Sequence, residues 1–188
     1  MQPKIFIIPG LGSSGPQHWQ TLWEPQLPNC ERIQQRDFDN AVCSEWITNI
    51  DAAVQRAGEN VVLIGHSSGS LAIAHWGLKY RRKIAGAFIV APSDVEMPGF
   101  PYNPIGFAPI PLERLPFPSI VVASSEDQYA PFHRSQQFAA AWGSEFVNIG
   151  SAGHINTQSG HGPWPEGLKL LREFLQRISK EQANCTTA

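Results

Sequence analysis

Six short apolar runs alternate with longer stretches of helical period along this chain, and that alternation restricts its fold more than any other feature. Lys4 to Ile8, Glu31 to Gln35, Val61 to Gly65, Ala85 to Ala91, Ser119 to Ser124 and Glu145 to Ile149 read as strands. Several are unbroken apolar runs, as strands buried on both faces of a parallel sheet must be. Between them Trp46, Ile50, Ala53, Val54 and Ala57 share one helix face, and Leu168, Leu171, Phe174, Leu175 and Ile178 share another. Strands alternating with amphipathic helices predict a parallel sheet covered on both sides. The helix after the third run differs: Leu71, Ala72, Ile73, Ala74 and Trp76 make it apolar nearly all round, so it should be the most buried.

The length, 188 residues, fits one domain, and neither a repeat nor a linker divides it. The domain is expected over 1–180, with 181–188 as a frayed polar tail. One segment breaks the rhythm, from Pro92 to Pro118, where Pro98, Pro101, Pro104, Pro109, Pro111 and Pro116 preclude a regular helix or central strand. Met97, Phe100, Tyr102, Ile105 and Phe107 are interleaved with those prolines, which favours an ordered pocket wall over a simple surface crossover.

Composition narrows the partners. Net charge is -2, and no Lys/Arg cluster exists to neutralise a phosphate backbone or dock on an anionic membrane, so neither nucleic acid nor membrane is an expected partner. The apolar runs are far below the ~20 residues that span a bilayer, and the N-terminus lacks a signal-peptide layout. Cys30, Cys43 and Cys185 form no C-x-x-C pair, and their odd number argues against a disulfide framework. A cytoplasmic location is the expectation.

Gly65-His66-Ser67-Ser68-Gly69 is a G-x-S-x-G sequence directly after a buried strand and directly before a helix, the context of a nucleophile elbow. Small residues at Gly65 and Gly69 let strand and helix approach while Ser67 projects outward, and the helix start offers free N–H groups beside it. This context makes an α/β-hydrolase-like three-layer sandwich, with a mostly or wholly parallel sheet of about six strands, the expected fold.

A serine hydroxyl needs a base to take its proton and a carboxylate to orient that base, in the chain order Ser, acid, His for this fold. The fifth run ends in Ser124-Ser125-Glu126-Asp127, where Asp127 is preferred to Glu126, and Asp94 after the fourth run is the reserve acid. His154, in Gly150-Ser151-Ala152-Gly153-His154-Ile155-Asn156, is the expected base, with His161 as its alternative. His66 should pack beneath the elbow, His75 on the buried helix and His133 at the surface. His154 and His161 lack both the helical spacing and the nearby cysteine pair of a zinc site, so no metal is expected, and no cofactor.

Attack on a carbonyl builds charge on its oxygen, which preset N–H groups stabilise. Ser68 N–H is one expected donor, and Leu11 N–H, in Pro9-Gly10-Leu11-Gly12-Ser13-Ser14-Gly15, is the other, with Gly12 as its alternative. The loop lacks the lysine of a P-loop and the glycine spacing of a dinucleotide fold. Gly10, Gly12, His18 and Trp19 are candidate substrate-binding residues.

These segments together resemble the small α/β-hydrolase family that includes retinoblastoma-binding protein nine and bacterial relatives. The likeness rests on Pro9-Gly10 with His18-Trp19, the elbow, Leu115-Pro116-Phe117-Pro118 leading into Ser124-Ser125-Glu126-Asp127, and Gly153-His154-Ile155-Asn156 with Gly160 to Gly167. It implies a triad of Ser67, Asp127 and His154, a fold without a cap domain, and hydrolysis of a small ester or amide substrate. An L-x-C-x-E motif links one member to the retinoblastoma protein, but Leu27-Pro28-Asn29-Cys30-Glu31 has the wrong spacing, so that partner is not carried over. Two alternatives remain: an interaction module with a relic triad, and an aminopeptidase-like amide hydrolase.

Overall fold

The computed structural model describes residues 2–186. Six parallel strands form a single sheet in the order β2-β1-β3-β4-β5-β6, from β1 (Lys4–Ile8), β2 (Cys30–Arg32), β3 (Val61–His66), β4 (Gly86–Val90), β5 (Ser119–Ala123) and β6 (Glu145–Asn148). The sheet is wholly parallel, and among the described residues no cap domain covers it. Every residue of β3, β4 and β5 is buried, which explains why these runs read as continuous apolar sequence. The edge strands are short and half-exposed, and β2 stops at Arg32 where apolar periodicity suggested Gln35.

Helices α1 (Trp19–Trp23), α2 (Cys43–Ala57), α3 (Ser68–Tyr80), α4 (Phe132–Trp142) and α5 (Pro165–Thr186) fill the two outer layers. Strand side chains alternate between them. Phe6, Ile8, Leu63, Ile89 and Val121 pack with α2, α3 and α4, whereas Ile5, Ile7, Val62, Ile64, Phe88 and Val122 pack with α1 and α5. The segment expected as a frayed tail from 181 instead continues α5 through Thr186, and residues 187–188 lie outside the described residues. No helix among the described residues is long and apolar enough to cross a membrane.

Strand order reverses between β1 and β3, and in open parallel sheets the crevice at the carboxyl ends of such strands receives ligands. The loop after β1 and the turn after β3 meet there. Their contact is extremely close: a Cβ on Gly69 would lie 2.2 Å from the Ile8 carbonyl oxygen and 2.6 Å from that of Pro9. A Cβ on Gly65 would fall 2.9 Å from the Ser70 backbone. Both glycines of the elbow are thus required by packing.

The Pro92 to Pro118 segment is ordered by two devices. Ile105 exchanges backbone hydrogen bonds with Ala41 and Cys43 at the start of α2, at 2.8 and 2.9 Å. Phe107, Ile110, Leu115 and Phe117 are buried in the α2–α3–α4 layer, leaving Tyr102, Ile105 and Leu112 exposed.

His18 caps α1, its Nδ1 accepting from Gln20 N–H at 3.2 Å, so Nε2 carries the ring proton. Burial, aided by the Arg32 and His154 charges, pushes its pKa down from 6.5 to about 3. The unfolded side chain therefore binds a proton that the folded one refuses between those values. Its contribution to stability is whole above pH 6.5 and is lost as pH falls toward 3. His18→Asn keeps a capping side chain without the imidazole, so its urea-unfolding free energy should decline less steeply than the wild type's from pH 7 to pH 4. Gly69→Ala, which has only backbone to push against, should lower that free energy at pH 7 by roughly 3 kcal/mol.

Candidate active site

Ser67 sits at the junction of β3 and α3 with φ 56° and ψ -124°, a conformation that costs a non-glycine residue on the order of 1–3 kcal/mol. Its N–H donates to the Val90 carbonyl at 3.1 Å, which ties the bend to β4. The side chain faces a cavity of about 240 Å³ that is also lined by Leu11, Gly12, His18, His66, Ser93 and His154. Ser67 Oγ lies 2.8 Å from Ser93 Oγ.

Asp127 and His154 are brought together from different loops. His154 Nδ1 lies 2.9 and 2.8 Å from the two carboxylate oxygens of Asp127, and both side chains are almost fully buried. The carboxylate can only accept, so Nδ1 carries a proton, and in the neutral imidazole Nε2 then keeps the lone pair. Asp127 is itself held by a local turn in which its Oδ1 accepts from Tyr129 N–H at 2.8 Å. Ser124 joins the two loops: its Oγ accepts from Glu126 N–H at 3.1 Å and from Ala152 N–H at 3.0 Å. Glu126 is exposed.

The backbone behind the imidazole is clamped by two buried donors. His66 Nε2 donates to the His154 carbonyl at 2.9 Å, and Trp19 Nε1 donates to the Ile155 carbonyl at 2.9 Å. His154 is also packed between rings, with Tyr129 at 4.6 Å and His66 at 4.8 Å between centroids. Burial holds the His66 pKa well below its usual value, so it stays neutral and can serve as this donor.

The loop after β1 is rigid. Arg32 donates to the carbonyls of Ser13 and Ser14 at 2.5 and 3.2 Å and to Thr21 Oγ1 at 2.6 Å, while Gln20 Nε2 reaches the Ile8 and Ile64 carbonyls. Gly12 N–H is already committed to the Phe38 carbonyl at 3.2 Å. Of the two alternatives on this loop, Leu11 is therefore the one with an N–H still to offer, and Ser68, as the first residue of α3, has no acceptor within its own helix.

The other candidates separate cleanly. Leu11, Gly12 and His18 line the cavity, but Trp19 is fully buried core that braces the histidine loop instead of facing substrate. Gly10 stands behind Ser67: a Cβ there would come within 2.7 Å of Ser67 Cβ. The reserve acid Asp94 is committed to Arg134, accepting from Nε at 2.8 Å and Nη2 at 3.0 Å. The alternative base His161 contacts Ser159 and Trp164 away from the cavity. Burial pushes the thiols of Cys30 and Cys43 up to about 11 and about 12, which leaves them poor nucleophiles. Among the described residues no group of three or more His, Cys, Asp or Glu side chains could hold a metal ion.

Sequence reasoning missed Ser93 and the contribution of Asn156, Thr157 and Gln158 to the cavity wall. The available signal for Ser93 was its place just beyond the carboxyl end of a buried strand beside the elbow strand.

Residues 5–173 match the family described as serine hydrolase. A YdeN-like hydrolase from Pectobacterium atrosepticum is 37% identical, with a TM-score of 0.84 over 94% of this chain and 92% of its own. The ydeN gene product of B. subtilis is 19% identical, with a TM-score of 0.80 over 92% and 98%. Est1E from Butyrivibrio proteoclasticus, solved with ferulic acid bound, shares the fold at 16% identity and a TM-score of 0.67 over 97% and 90%. No curated protein matches the chain. With the family match spanning residues 5–173, the chain belongs to the serine hydrolases.

Proposed function

We propose that the protein hydrolyses a small, uncharged carboxylic ester through an acyl-enzyme on Ser67. The observation that carries this reading is the Asp127–His154 pair at 2.8 Å, which fixes the tautomer a general base needs on the cavity that Ser67 faces. His154 Nε2 takes the Ser67 proton as Oγ attacks the ester carbonyl. Negative charge on the carbonyl oxygen is met by the N–H groups of Leu11 and Ser68 and by the positive end of α3. His154 then gives the proton to the departing alcohol. Water enters, loses a proton to the same nitrogen and releases the acid.

Substrate size and charge follow from the cavity. Its volume, about 240 Å³, lies below the common range of drug-sized sites, so only a short acyl group and a modest alcohol fit. None of its lining residues is Asp, Glu, Lys or Arg, and His18 and His66 are held neutral. A substrate ammonium or carboxylate would lose its hydration there without gaining a counter-ion.

A fluorophosphonate probe read by intact mass should add one label to the native protein and none to Ser67→Ala, with both equally folded by circular dichroism. An unlabelled wild type would sink the reading. Among p-nitrophenyl esters, isobutyryl should exceed the isosteric but cationic alanyl ester by at least about tenfold in kcat/KM, after correction for alkaline lability. Equal or reversed rates would show that a charged acyl group is accepted.

A further inference from the structure

The hydroxyl of Ser93 lies 2.8 Å from the hydroxyl of Ser67, is 1% exposed, and has no part in the reaction as described so far. Its position is enforced from both sides. Ala91 N–H binds the Val122 carbonyl at 2.9 Å, and Asp94 N–H binds the Tyr129 carbonyl at 2.7 Å. Arg134 grips the Asp94 carboxylate with two nitrogens, and Arg134 Nη2 also holds Glu96 at 2.7 Å. Ala91 adopts φ 45°, a left-handed conformation that a non-glycine residue takes only when its surroundings compel it. The turn is thus stitched to the segment that carries Asp127, and Ser93 is aimed at the nucleophile by a built framework.

Which oxygen donates follows from the acceptors available. In the reaction proposed above Ser67 gives its proton to His154, which lines the same cavity, so Ser67 Oγ is left to accept from Ser93. Among the described residues, the acceptor facing the Ser93 proton is Ser67 Oγ. If Ser67 donated instead, the Ser93 O–H would be left without a protein partner, at a cost on the order of 1–3 kcal/mol if no water reached it.

We propose that Ser93 is a further catalytic residue, donating a hydrogen bond to Ser67 Oγ when that atom is expelled from the acyl-enzyme. The role rests on the reading of Ser67 as nucleophile. In deacylation, water adds to the acyl carbonyl as His154 takes its proton. The tetrahedral adduct collapses by breaking the bond between the acyl carbon and Oγ, whose electron pair stays on Oγ. His154 returns the proton to Oγ, and Ser93 keeps its own proton throughout. A hydrogen bond to the developing alkoxide is worth more than one to the ester oxygen it replaces, so its effect falls on the barrier of this step.

The test is stopped-flow hydrolysis of p-nitrophenyl isobutyrate by wild type and Ser93→Ala, with acid-quenched samples weighed intact. Loss of one charge-assisted hydrogen bond should lower kcat by about tenfold and bring KM down with it, while acyl-Ser67 accumulates to a larger fraction of the protein. A purely structural defect would lower kcat/KM without that accumulation and would overturn the role. A kcat within threefold of wild type would overturn it as well. Absence of any label or acyl adduct on wild-type Ser67 would instead remove the nucleophile itself, a failure that the fluorophosphonate experiment identifies separately.

Discussion

The first turn of α3 rests so closely on the end of β1 that only hydrogen fits at Gly69. This contact settles where the loop after β1, the elbow and the helix start lie relative to one another. A side chain at that position would separate α3 from β1 and carry Ser67 away from the loop that Arg32 and Gln20 hold. The strained backbone of Ser67 is tolerable because the surroundings over-determine it: β4 accepts its N–H, and the carbonyl that follows caps the first turn of α3. Local strain at one residue is balanced by burial of three complete strands and a helix with hardly a polar face.

The remaining groups come from loops, yet none of these loops is loose. Ser124 joins the acid turn to the histidine loop, Trp19 and His66 hold two consecutive carbonyls beyond that loop's midpoint, and Asp94 with Arg134 secures the turn bearing Ser93. Each link is a buried polar group satisfied by another, which is the condition under which a polar network rigidifies a site instead of weakening it. The same residues that complete the core therefore also position the imidazole. Trp19 illustrates this well, since it fills the α1–α5 layer with its ring and steadies Ile155 with its nitrogen.

Much of this architecture was legible in the sequence because it depends on local pattern. The β3 run, the G-x-S-x-G turn and the apolar α3 announce an elbow from adjacent residues, and the chain order of acid and histidine follows from strand succession. What stayed hidden depends on distant contacts. Trp19 looked like a pocket residue because it follows His18, but its ring packs on Trp164 and its nitrogen holds the Ile155 carbonyl, both far along the chain. Asp94 was a fair candidate acid until Arg134 on α4 was seen to claim it. Ser93 gave little sign because one serine among many is informative only once Ser67 stands beside it. The α5 extension through Thr186 was missed for a different reason: its last turns lack the apolar face that marks the rest of the helix.

Three imidazoles occupy this site, and their environments assign them different work. His18 spends one nitrogen on a helix cap and His66 spends one on a carbonyl, and burial keeps both uncharged at neutral pH. Only His154 is paired with a carboxylate, so it alone can gain a proton and find the new charge compensated. Neutral neighbours matter for that role. Were His66 charged at a centroid distance of 4.8 Å, it would repel the imidazolium that the proposed mechanism forms at His154. The depth at which His18 and His66 are buried thus serves the proposed proton transfer at His154 and keeps both rings from bringing charge into the cavity.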